Sequence, residues 1–240
     1  MFHILNRKAL QDPKAIILKM GNILLVMTRL LIMATTDAAM IPALMVMKRN
    51  RRHFECFIGC FHLFVSLMFN TSAALEVNMF LSEDEWHFIS DVLSISYFLV
   101  LLVHLMGIED ENVNIILRYM AFSLTWIAKA KDKWDSILWE AVLITTSVAG
   151  LMYRQLTSYD IPVDPGHASK AGLALGSLSF TYLLSGLSLF ENDVFHIIYA
   201  LYHLSGGAFF YHAWLSIPCR DAKKDDDYHL PSHNKQSAYI

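Results

Sequence analysis

Apolar residues fall in long runs separated by short polar punctuation, and each run is about as long as a bilayer core is thick. The runs cover 23–47, 54–75, 88–106, 113–128, 136–152, 171–189 and 194–215. A membrane-spanning helix needs about 20 consecutive, mainly apolar residues, so the pattern predicts an all-α polytopic membrane protein, a seven-transmembrane-helix bundle over 23–215. The first run is imperfect, with Arg29, Asp37 and Pro42 inside it. Arg29 can reach a head-group layer by snorkelling, whereas the short side chain of Asp37 cannot. Residues 1–22 form a polar lead-in, of which 14–22 read as an interfacial amphipathic helix. Residues 216–240, with Asp225, Asp226 and Asp227, read as a polar, disordered cytoplasmic tail. The stretch 153–170 contains Pro162, Pro165 and Gly166 and predicts the longest irregular loop.

Composition agrees with a membrane class. The chain has 240 residues, 55% of them hydrophobic and 17% charged, with a mean hydropathy of +0.39. A soluble domain is nearer a quarter charged. A net charge of −3 gives no reason to expect a nucleic-acid partner. Cys56, Cys60 and Cys219 form no CxxC pair, so neither a disulfide framework nor a zinc knuckle is indicated. Cys56 and Cys60 read as packing residues, and Cys219, beside basic residues, as either a plain thiol or an S-palmitoylation site. Residues 1–13 lack the apolar core of a cleavable signal. Asp132 and Trp134 read as interfacial anchors.

Charge sets an orientation. Lys48, Arg49, Arg51 and Arg52 share one short loop, and such loops lie on the cytoplasmic side. Seven spans then place the N-terminus outside or in the lumen and the tail in the cytoplasm. Arg220, Lys223 and Lys224 agree; Lys129, Lys131, Lys133, Arg7, Lys8 and Lys14 run against it. The plasma membrane or a secretory-pathway membrane follows.

Alternating spans also place polar groups by depth. His62, Ser66 and Asn70 share one helix face by their i, i+4, i+8 spacing, and His196, Tyr199 and His203 share another by i, i+3, i+7. These residues, with Asp91 and Glu140, fall in one leaflet, while His104 and His212 fall toward the other. The expected result is a polar pocket between spans two, three and seven, made by Ser66, Asn70, Asp91, Tyr199 and His203. Plainer readings stand beside it: Ser66 and Asn70 as interhelical hydrogen-bond partners, and Asp91 as an interfacial helix cap. Ionisable side chains inside a span are costly and usually functional. Neutral histidine with a carboxylate is a zinc-binding set. Zinc-bound water there would serve hydrolysis of a lipid ester or amide.

These residues resemble the CREST superfamily of seven-span membrane proteins, which includes alkaline ceramidases, adiponectin-receptor-like proteins and the transmembrane protein 8 family with its short member myomaker. Its pattern is Ser-xxx-His on span two, an acid early in span three and His-xxx-His on span seven; the three histidines bind zinc, with the serine and the acid beside it. The chain looks most like the transmembrane protein 8 and myomaker branch. Ile41-Pro42 followed by the basic loop to Phe54 looks like that branch's exit from span one, and Asp132-Lys133-Trp134 is similar to its Asp-Arg-Trp. Ser66-Leu-Met-Phe-Asn70, Asp91-Val-Leu-Ser-Ile and Tyr199-Ala-Leu-Tyr-His203 fall on the three site motifs, and the likeness runs over 30–218. Of the three zinc ligands only His203 is matched, because Asn70 and Tyr199 stand at the other two positions. His196 could substitute, with His203 and Asp91 completing a rearranged site.

The resemblance implies a kept fold and pocket with the metal and hydrolase chemistry lost: a non-catalytic protein acting in lipid binding or membrane remodelling. The alternative it implies is a metal-dependent lipid amide or ester hydrolase with a rearranged site, in which the catalytic Ser66 and Asp91 orient the water and His196 and His203 hold zinc; a small-ligand receptor is a weaker third. Membrane lipids are the expected partners, with a protein partner or a homodimer beside them. Gly172-xxx-Gly176 provides a small-residue face for close packing within the bundle.

Overall fold

The computed structural model describes residues 13–75, 77–131, 137–157, 163–186 and 197–218, with side chains at all of these except 13–22, 131, 137–141 and 185–186. The first helix, α1 (Pro13–Asp37), passes into a 3₁₀ turn (Ala38–Met40) and then α2 (Ile41–Arg49). Pro42 explains the change of winding. It lacks an N–H, and its ring crowds the carbonyl four residues back, that of Ala38. The chain continues as α3 (His53–Leu75), α4 (Glu83–Leu105), α5 (Glu111–Lys131), α6 (Ile137–Thr157), α7 (Pro165–Gly186) and α8 (Ile197–Ser216). No strand occurs among the described residues, so the fold is all-α.

Among the described residues, three stretches are long and apolar enough to cross a membrane: Ile23–Arg49, His53–Leu75 and Glu83–Leu105. The α5 helix is long enough but carries Glu111, Arg118, Lys129 and Lys131, which lower its apolar weight. Large apolar side chains also point outward, including Leu24, Leu31, Phe57, Ile127, Leu156 and Leu173. An outer surface of this kind suits lipid rather than water, and the protein is membrane-associated by that measure.

Three boundaries differ from the expected ones, each for a local reason. Residues 14–22 are no separate interfacial helix; they run without a break into α1. The α4 helix starts at Glu83 rather than 88, because Ser82 caps it: its hydroxyl accepts from Glu85 N, and the Glu85 carboxylate accepts from Ser82 N at 2.8 Å. The α7 helix starts at Pro165 rather than 171. Proline suits a first helical position, and Asp164 Oδ1 accepts from Gly166 N at 2.8 Å. With α6 running to Thr157, the expected 153–170 loop shrinks to a short connection.

The helices pack around Met47, Ile58, Val65, Leu93, Tyr97 and Trp214. Trp214 Nε1 donates to Tyr97 OH at 3.0 Å, and that hydroxyl points on to Met47 Sδ at 3.5 Å. One backbone contact sets the register of α8 against the first rod. A Cβ at Gly207 would lie 2.5 Å from Ala39 O and 2.7 Å from Ala39 C. Glycine is required there, because the 3₁₀ turn and α8 touch main chain to main chain. Gly207→Ala is expected to cost about 1–3 kcal/mol by overpacking; a detergent melting curve unchanged from wild type would refute this.

Candidate functional site: a carboxylate node at Asp37

The end of α1 places Asp37 at the meeting point of α1, α3 and α8, where its carboxylate is only 3% exposed. Its Oδ2 accepts from Ser66 Oγ and from Asn70 Nδ2, both at 2.8 Å. Its Oδ1 lies 2.8 Å from His203 Nδ1 and 3.4 Å from Tyr199 OH. Asn70 Nδ2 also donates to Tyr199 OH at 2.8 Å, while Tyr199 OH lies 3.0 Å from Asn70 Oδ1. The phenol has one hydrogen, and the Asn70 contact is the shorter of its two acceptors. The Tyr199 and His203 rings lie 4.1 Å apart between centroids, so α8 presents both groups as one surface.

The helical spacing explains the assembly. Ser66 and Asn70 stand one turn apart on α3, Tyr199 and His203 one turn apart on α8, and each pair reaches a different part of the same carboxylate. A buried carboxylate costs several kcal/mol unless its lone pairs are met, and here Ser66, Asn70 and His203 meet them. His203 Nδ1 can donate whether the imidazole is neutral or protonated, so the bond does not depend on one charge state. A cleft of about 340 Å³ between α1 and α3 runs past this node. It is lined by Ala34, Ala38, Cys60, Leu63 and Leu67, with Asp37 on its wall.

The expected pocket residues therefore divide. Ser66, Asn70, Tyr199 and His203 come together; Asp91 does not join them. Lys129 Nζ lies 3.2 Å from Asp91 Oδ2, and His87 Nδ1 lies 3.7 Å away one turn earlier on the same helix. The physical reason is charge: Lys129 on α5, with its side chain 8% exposed, needs an anion and takes Asp91. His62, one turn before Ser66, turns to α4 and meets Ser94 Oγ at 2.8 Å. His196, the expected substitute ligand, lies outside the described residues, as do Asp132, Trp134, Cys219 and the side chain of Glu140.

A second node lies toward the other end of α3. Glu55 is fully buried; its Oε1 accepts from His104 Nε2 at 2.7 Å and from Arg118 Nη1. Arg118 Nη2 also approaches Glu111 Oε1 at 3.5 Å. Arg52, beside this node, sits 5.1 Å over the Trp214 ring and donates to Pro218 O at 3.2 Å. His212 stands apart from both nodes and pairs with His167, Nδ1 to Nδ1 at 3.2 Å.

Asp37 and Glu55 were the residues the sequence pattern did not assign to a site. For Asp37 a signal was present, an acid within an apolar run, but nothing in the spacing named its partners. Glu55 lies at the start of the second apolar run, just after the basic loop, and the pattern gave it no partner.

Residues 25–205 match the family model described as Protein of unknown function (DUF3522). The chain belongs to this family. The matched range holds every member of the Asp37 node and both acids of the Glu55–Glu111 group, whereas His212 and Trp214 lie beyond it. No curated protein matches the DUF3522 chain.

Proposed function

We propose that this protein is a non-catalytic seven-helix membrane protein of the CREST type, near the transmembrane protein 8 and myomaker branch, acting in lipid binding or membrane remodelling. The observation that carries the reading is the state of the Asp37 carboxylate. Ser66, Asn70 and His203 donate to it and Tyr199 joins through Asn70, and these four residues sit at the positions where the resemblance expects a serine and zinc ligands. The donor set does not fit zinc: it offers one imidazole and one carboxylate, with an amide and a phenol where the other ligands would be. Ser66 hydrogen-bonds to the Asp37 carboxylate rather than to His203, and that carboxylate is held at the same time by Asn70 and His203. What remains is a hydrogen-bonded carboxylate on the wall of an otherwise apolar cleft, surroundings that suit a lipid chain.

In this reading the basic loop Lys48–Arg52 faces the cytoplasm, the N-terminus lies outside or in the lumen, and seven spans cross a plasma or secretory-pathway membrane. The Arg52 contacts near the C-terminal end of α8 support placing both at one face.

Metal analysis tests the proposal in two directions. The wild-type protein should carry no stoichiometric zinc, and the Asn70→His, Tyr199→His double variant should gain about one zinc per chain, since three histidines with water complete a tetrahedral site. Stoichiometric zinc in the wild type, lost in His203→Ala, would instead support the metal-dependent lipid hydrolase. A folded double variant that takes up no zinc would remove the CREST likeness.

A further inference from the structure

The loop between α3 and α4 is short, braced and strained. Ser72 Oγ donates to Val77 O at 2.8 Å, and Trp86 Nε1 donates to Met79 O at 2.9 Å. Leu81 N donates to the same Met79 carbonyl at 2.8 Å, closing a three-residue turn on Phe80, whose φ is 67°. That is the rare, strained form of the γ-turn, and left-handed backbone on a bulky aromatic residue is a genuine outlier. The outcome is a phenylalanine 95% exposed at the loop tip, with the half-exposed Val77 beside it. A braced loop that holds an unfavourable backbone angle in order to expose an aromatic ring points to something the ring meets.

We propose that Phe80 is an interfacial anchor, seated in the zwitterionic head-group layer of the leaflet at this end of α3 and α4. The inference rests on reading α3 and α4 as spans. Each has 23 residues, about 34 Å at 1.5 Å per residue, against a hydrocarbon core of about 30 Å. The loop that joins them therefore sits at head-group depth, where an apolar side chain on a rigid turn enters the acyl boundary. Glu83, Asp84 and Glu85 follow at once and are exposed. Three acids beside the ring disfavour an anionic leaflet, which leaves a zwitterionic one. The opposite end of α3 carries the basic loop, so the two ends of this hairpin are matched to leaflets of different charge.

Site-directed spin labelling in phosphatidylcholine vesicles tests this, in a full-length background with Cys56, Cys60 and Cys219 replaced by alanine. Labels are placed by Phe80→Cys and, as an internal control on the outward face of α3, by Phe61→Cys. The Phe80 label should relax more with oxygen than with a water-soluble nickel complex, at a shallower depth than the Phe61 label. A Phe80 label open to nickel, or shielded from both reagents as in a protein contact, overturns the anchor while the Phe61 label still reports lipid. A Phe61 label open to nickel shows instead that the span reading has failed, and the anchor with it. In phosphatidylserine-rich vesicles the Phe80 label should move toward water, and an unchanged depth overturns the lipid preference.

Discussion

Asp37→Ala is expected to lower the unfolding free energy by about 3–5 kcal/mol, the usual loss when one partner of a buried charged network is removed. The reasoning runs through the donors left behind. Ser66, Asn70, Tyr199 and His203 all point at this carboxylate, and each buried donor left without an acceptor costs about 1–3 kcal/mol before relaxation. Tyr199 and Asn70 still have one another, at 2.8–3.0 Å, which is why the expected total is less than four full penalties. Asp37→Asn should be milder, because the amide oxygen preserves one acceptor while its NH₂ must turn away from His203. Unfolding by SDS titration in mixed micelles measures both. A loss below about 1 kcal/mol for Asp37→Ala would mean that water reaches the node and replaces the carboxylate.

Glu55→Ala should be comparably damaging for a different reason. Glu55 is fully buried between His104 and Arg118, and its removal strands a guanidinium whose side chain is 10% exposed. Breaking such a pair from one side costs about 3–5 kcal/mol. The double variant Glu55→Ala, Arg118→Met should recover much of that loss, since removing both charges leaves no unpaired ion. The coupling between the two sites would then be of order 1–3 kcal/mol. Thermal melts followed by circular dichroism, on wild type, both single variants and the double, complete the cycle. Additive losses would show that Glu111, 3.5 Å from Arg118, is enough to hold the arginine.

The hydrophobic runs made the helices legible, because long apolar stretches between charged loops have few other solutions. Their ends were less so. Ser82 and Asp164 are local caps whose effect extends α4 and α7 into stretches of polar composition, and composition does not register a cap. Depth and helical spacing grouped Ser66, Asn70, Tyr199 and His203 together with Asp91, and the four meet in the structure because side chains one turn apart on two facing helices need only a third element. That third element was not legible. Asp91 was the expected acid because it stands early in the third run, but Lys129 lies on the neighbouring α5 and claims it. Asp37 took the place through the bend at Pro42 and the close approach at Gly207, neither of which announces a partner in the sequence.

The order in which Asp37 acquires its donors has a consequence for synthesis. Ser66 and Asn70 follow it within 29 and 33 residues, whereas Tyr199 and His203 belong to α8, with Tyr199 162 residues away. A chain still emerging, or one truncated before α8, holds the acid with half of its hydrogen bonds missing. The node closes only when α8 docks against α1 and α3.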